Sequence, residues 1–227
     1  MRPLFVALLA LLASSSPAVA ASPVICIDPG HERTADLSTE RIGPGSSTYK
    51  VKDPVGTAGE ATVVLQIGKK LRKILVRRSY EVVMTRTTME FDRGNGSNIA
   101  RAKFCNRHDA ALMVRIHADG SMDRSAHGAK TLYPAWHKGW TGDILPESRE
   151  AAALMQKAYI AKTGAKDLGL QRRADLTGFN WADVPAILVE TGFMTNPTEG
   201  AKLKTDRYQW KVAHGLANGT SAFVPKP

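Results

Sequence analysis

Three short apolar runs constrain this chain more than any other feature, because each stops on a polar group. VICIDPG at 24–30 leads into His31, ALMVRI at 111–116 leads into His117, and PAILV at 185–189 ends in Glu190. Continuous, partly β-branched runs of this length read as strands buried on both faces. Residues 58–78 lie between the first two and carry Val64, Ile67, Leu71, Ile74 and Leu75 on one helical face. Residues 98–108, 146–163 and 206–223 also read as helices, and 80–86 and 129–134 as further strands. Strands alternating with helices predict an α/β fold. The expected form is one domain with a mostly parallel, about six-stranded twisted sheet flanked by helices on both faces. Two intervals lack periodicity. Residues 32–57, polar and rich in Gly, Pro and Ser, read as a long loop that is functional or disordered, and 164–184 read as a connection.

In open sheets of this kind, ligands bind beyond the carboxyl ends of the strands. His31, His117 and Glu190 belong at that edge. Helix 58–78, as a crossover to 80–86, begins there too and brings Glu60. A catalytic Zn²⁺ takes three nitrogen or oxygen ligands plus water, and His31, Glu60 and His117 supply such a set. Glu190 is then left to handle protons. Each residue also has an ordinary reading. His31 could finish a turn, His117 could be a plain strand-end histidine, and Glu190 could pair with an arginine. Thr57-Ala58-Gly59-Glu60 matches a capping box in which Glu60 bonds back to the Thr57 amide. Convergence of four groups at one edge favours the site.

His127 is a rival ligand, or a partner to one, because a short antiparallel return from His117 would start it at the same edge. Arg173 and Asp175 are candidate substrate contacts, with a mutual salt bridge as the competing reading. Trp136 and Trp140 read as packing. The chain has no H-E-x-x-H and no G-x-S-x-G, and Cys105 has no nearby base, which weakens the standard protease and esterase readings.

Residues 1–20 read as a signal peptide cleaved after Ala20. Arg2 is the charged start, an apolar stretch follows, and Ala18-Val19-Ala20 is the small-x-small site. The apolar stretch is shorter than the roughly 20 residues a membrane span needs, so a secreted protein without stable membrane insertion is expected. The net charge of +10 points to an acidic partner: nucleic acid, anionic lipid or a cell-wall polymer. No nucleic-acid motif accompanies it. Cys26 and Cys105, the two cysteines, favour a disulfide in an oxidising compartment, against the alternative of two buried thiols.

DPGH at 28–31, Glu60 opening its helix, TR at 85–86, Arg101 with Asn106, IHAD at 116–119 and VPAILVETGFMTN at 184–196 occur in a telling order. Together they resemble the zinc-dependent N-acetylmuramoyl-L-alanine amidases of the amidase type 3 family. The resemblance spans essentially all of 21–227, with no separate wall-binding domain expected. It implies a six-stranded α/β fold, one Zn²⁺ on His31, Glu60 and His117, and Glu190 as the catalytic glutamate. It also implies hydrolysis of the amide joining N-acetylmuramic acid to L-alanine, with peptidoglycan and not nucleic acid as the partner. On this resemblance the metal reading of Glu60 overtakes the cap. A monomer in the periplasm, cell wall or extracellular space is expected.

The chain departs from the pattern where Glu32-Arg33 follow His31, since glycines are frequent there in the family. The 73-residue spacing from His117 to Glu190 leaves no room for a helix that plugs the site. Two other functions stay open: a secreted zinc peptidase cutting within the stem peptide, and a non-catalytic wall-binding protein.

Overall fold

The computed structural model describes residues 21–91 and 96–226; the expected signal peptide lies outside them. The chain opens with β1 (Val24–Pro29) and a hairpin of β2 (Asp36–Arg41) and β3 (Tyr49–Asp53). Then come α1 (Glu60–Arg77), β4 (Glu81–Met84), α2 (Asn98–Arg107), β5 (Leu112–Asp119) and β6 (Ala129–Pro134). The remainder is α3 (Leu145–Thr163), β7 (Asp167–Arg173), α4 (Thr177–Asn180), β8 (Ala186–Phe193), α5 (Pro197–Leu203) and α6 (Asp206–Phe223).

Six strands form one sheet in the order β4-β1-β5-β8-β6-β7. The first four run parallel. β6 is antiparallel to β8, and β7 runs parallel to β6, so the last two strands reverse the direction. The mostly parallel α/β sheet expected from the sequence is the one observed.

Side chains alternate across a strand with period two, and this divides the sheet into two unlike faces. Ile25, Ile27, Val114, Ile116, Ile187 and Val189 share one large cluster with residues of α1, α3 and α6. Cys26, Met113, Leu132 and Leu188 point the other way into a smaller cluster with Cys105 of α2 and Phe179 of α4. Asp28, Arg115, His117 and Glu190 continue this second set along their strands. The polar groups therefore sit on the thinly covered face, which the hairpin and two short helices flank.

The sequence reading needs three corrections. Residues 32–57 hold the β2–β3 hairpin, whose strands DLSTER and YKVKD are mostly exposed and polar and so carry no apolar alternation. Residues 164–184 hold β7 and α4; β7 is an edge strand, largely exposed, held by its ladder to β6. β5 and β8 continue past His117 and Glu190, to Asp119 and Phe193. Those two residues lie inside their strands and not at the ends.

Candidate metal centre

β1 ends in Pro29, and the chain turns at His31, which has φ 55°. This left-handed conformation is uncommon outside glycine, with His among the more tolerant residues. The turn is held from below by Arg86, fully buried, whose guanidinium donates to the Pro29, Gly30 and Ala61 carbonyls. One side chain thus joins the turn carrying His31 to the first turn of α1, which carries Glu60. Thr85 donates to Asp28 Oδ1 at 2.6 Å. Asp28 is fully buried between Arg101 and Arg115, with contacts of 2.7–2.9 Å. The two guanidiniums hold its carboxyl well below the usual carboxylate range against the opposing effect of burial. The DPGH, TR and Arg101 motifs are therefore the frame beneath the site.

Above that frame, His31, Glu60 and His117 offer ligand atoms that all lie within 4.8 Å of one another. Glu60 Oε1 is 3.3 Å from His31 Nε2 and 3.2 Å from His117 Nδ1, and accepts from the Ala118 amide at 3.1 Å. Its other oxygen, Oε2, accepts from the Thr57 amide at 2.9 Å. The bond back to the Thr57 amide uses Oε2 and leaves Oε1 to the two histidines. The imidazoles meet edge to face, with centroids 4.9 Å apart. Gly30 and Gly56 make room for them: a Cβ at Gly30 would stand 2.3 Å from His117 Cε1, and one at Gly56 2.5 Å from both Glu60 Oε2 and His31 Cδ2.

Electrostatics suit a cation at this point. Burial opposes ionisation of Glu60, but hydrogen bonds from His117 and His31 outweigh it and hold its carboxyl well below the usual range. Burial pushes His117 down to about 4, leaving a neutral imidazole with a free lone pair. His31 goes the other way, to about 9, because hydrogen bonds to Asp53 and Glu60 overcome its burial. Its Nδ1 lies 2.5 Å from Asp53 Oδ1. His117 Nε2 and Glu190 Oε2 are both buried without a hydrogen-bond partner among the described residues. Two imidazoles, an ionised carboxylate and an unsatisfied ring nitrogen fit a divalent metal of the zinc type.

Glu190 stands opposite His117 in the β5–β8 ladder. Burial, then the carboxylates of Asp119 and Glu60, push it up to about 8, against a smaller opposing pull from Lys130. Lys130 pairs with Asp119 at 2.6 Å. His31, Glu60, His117 and Glu190 line one cleft of about 490 Å³ with Gly56, Thr57 and residues 118–122.

The other candidates fall elsewhere. His127 is exposed, contacts the Ser125 carbonyl at 2.9 Å and lines a separate cavity. β8 intervenes between β5 and β6, and Lys130 rather than His127 comes opposite Glu190. Arg173 and Asp175 bind each other through two contacts of 2.7 Å, and Lys50 joins Asp175. They are not among the residues lining the cleft, although the Arg173 charge lies within electrostatic reach of Glu190 and Asp119. Trp136 is exposed, while Trp140 stacks on His137 and donates to the Pro44 carbonyl. Cys26 and Cys105 form a disulfide with Cα atoms 5.6 Å apart. Asp53 went unread in the sequence, because no local spacing links a hairpin residue to a histidine 22 positions earlier.

The molecule is thus an α/β domain with a His–Glu–His cluster that could hold a metal ion and a separate buried carboxylate, Glu190, at the carboxyl edge of its parallel strands. The chain belongs to the N-acetylmuramoyl-L-alanine amidase family, whose pattern it matches over residues 25–222. It is 29% identical to the N-acetylmuramoyl-L-alanine amidase Rv3717 of Mycobacterium tuberculosis, over 93% of this chain and 90% of that one. It is 32% identical to an endolysin of Bacillus phage SPP1, over 89% of this chain and 66% of the relative. Among solved structures, the amidase Ami1 of Mycobacterium smegmatis superposes with a TM-score of 0.79 at 25% identity, covering 90% of this chain and 97% of that one. Ami1 of Mycobacterium abscessus gives 0.78 at 27%, covering 90% and 99%.

Proposed function

We propose that this chain is a zinc-dependent amidase that cuts peptidoglycan between N-acetylmuramic acid and the L-alanine of the stem peptide. Family membership carries the reaction. The observation that carries the chemistry is the gathering of His31, Glu60 and His117 within 4.8 Å, with Glu190 across the ladder. His31, Glu60 and His117 would hold one Zn²⁺. When bound there, the metal would polarise the lactyl carbonyl and bring a water's pKa to about 7.

The chain's own groups do the rest. Glu190 takes a proton from the attacking water and returns it to the departing alanine nitrogen. Burial and the neighbouring carboxylates raise this carboxyl in the metal-free site, and a bound cation would pull it back down, toward the range in which one group both accepts and returns a proton. Lys130 and Asp119 set the charge beside it. Gly30 and Gly56 leave the room in which the His117 and His31 rings and the Glu60 carboxylate stand.

Secretion to the periplasm or wall, cleavage after Ala20 and a monomeric state belong to the same reading. No described helix is long and apolar enough to cross a membrane. The deciding experiment is mass analysis of purified peptidoglycan digested with and without a chelator. Free muramoyl lactyl groups and new L-alanine amino termini, lost on chelation, are expected. New termini deeper in the stem would instead make it a peptidase. Glu190→Gln should lower the rate by about 10²–10⁴-fold while keeping the metal; full lytic activity in that variant would remove Glu190 as the proposed base.

A further inference from the structure

We infer that Asp53, the last residue of β3 at the open end of the β2–β3 hairpin, is the positioning residue of the metal cage, fixing His31 so that its Nε2 faces the metal. The inference rests on the metal reading of the site and extends it to a residue outside the ligand set.

Asp53 is 2% exposed, and both of its oxygens are engaged. Oδ1 meets His31 Nδ1 at 2.5 Å and accepts from the Val55 amide at 2.9 Å, while Oδ2 accepts from the Glu32 amide at 2.9 Å. The carboxylate therefore grips His31 twice, through its ring and through the amide of the next residue. The second contact steadies the left-handed backbone at His31. The first requires hydrogen on Nδ1, since a carboxylate only accepts. With a metal bound, that tautomer would leave the Nε2 lone pair for the metal, on the side of the ring that lies 3.3 Å from Glu60 Oε1. A ligand imidazole whose other nitrogen is held by a carboxylate is better oriented and more basic than a free one.

The hairpin delivers Asp53 as a docked element. Glu40, buried on β2, accepts from the Asn98 and Ile99 amides at the start of α2 and from the Asn98 side chain. The Trp181 indole donates to the Arg41 carbonyl, Asn180 to Ile42 and Trp140 to Pro44. These ties run from both sides of the cleft-bearing face to one strand pair. A segment of mostly polar, exposed residues is thereby held well enough to place one carboxylate against a metal ligand.

The test is Zn²⁺ affinity of the full chain, measured by competition with a chromophoric chelator, together with the Co²⁺ absorption spectrum. Asp53→Ala is expected to weaken Zn²⁺ binding 10–100-fold. Asp53→Asn, which keeps an acceptor but loses the charge, should fall between it and wild type. In a His31→Ala background the Asp53→Ala change should add nothing. An equal further loss there would mean that Asp53 only holds the loop, and would overturn the inference. So would wild-type affinity and an unchanged Co²⁺ spectrum in a folded Asp53→Ala protein. Absence of Zn²⁺ binding by the wild-type chain is a different outcome: it removes the metal reading itself, and Asp53 with it.

Discussion

Breaking the Cys26–Cys105 disulfide should cost about 4.5 kcal/mol, close to what a chain of this size has to spare. The bridge spans 79 residues. Closing a loop of that length removes roughly 15 cal/mol/K of entropy from the unfolded chain, or about 4.5 kcal/mol at 25 °C on the chain-entropy account. Domains are stable by about 5–15 kcal/mol, so the loss is a large fraction. At about 2–4 °C per kcal/mol for a protein of this size, the midpoint should fall by roughly 10 °C or more. Both half-cystines are fully buried, so Cys26→Ala with Cys105→Ala also removes two packed sulfurs. The cleaner comparison is reduced against oxidised wild type, which keeps the sulfur volume. Equilibrium unfolding in guanidinium with and without a thiol reductant measures it, with the slope reporting any change in the unfolded ensemble. A tie between the same two elements remains, because Arg101 of α2 still grips Asp28 of β1, so the native fold should persist on reduction. A loss below about 1 kcal/mol in the reduced protein, with an unchanged slope, would refute the reasoning.

Three other outcomes follow from the site's frame. Asp28→Asn leaves Arg101 and Arg115 buried without their counter-charge and should destabilise the protein by about 3–5 kcal/mol in denaturant unfolding; a change within 1 kcal/mol would mean water reaches that network. In the metal-free protein, Glu190 titrates at about 8 when folded and about 4.5 when unfolded. Its contribution is full below pH 4.5 and lost as pH rises through 8, so wild type minus Glu190→Gln stability should fall across that window, and a flat difference contradicts it. Gly30→Ala puts a methyl into the His117 ring and should lower bound Zn²⁺ while leaving the far-ultraviolet dichroism intact; full metal content would show that the ring can yield.

The layered α/β plan and the four central groups are legible in the apolar pattern of the chain. β1, β5 and β8 are buried by long apolar runs, and burial is what hydrophobic patterning reports. His31, Glu60, His117 and Glu190 were legible because each is attached to such a run, or to the helix that follows one. Elements that bury little left no trace of that kind. The hairpin and β7 are held by ladders, ion pairs and side-chain-to-backbone bonds, whose partners lie far away in sequence. A partial local signal existed for α5, where Asn196 caps the Thr198 and Glu199 amides ahead of Pro197 at the first turn.

Only the tertiary structure decided how the groups divide their work. It put Lys130 and not His127 opposite Glu190, because β8 inserts between β5 and β6. It tied Arg173 to Asp175, outside the residues that line the cleft. It gave Glu60 two duties by turning one oxygen to the Thr57 amide and the other to the histidines. It brought Asp53 to His31 across a hairpin. Periodicity specifies which face a residue takes within its own element; which residues from different elements meet is settled by strand order, strand direction and the docking of polar segments.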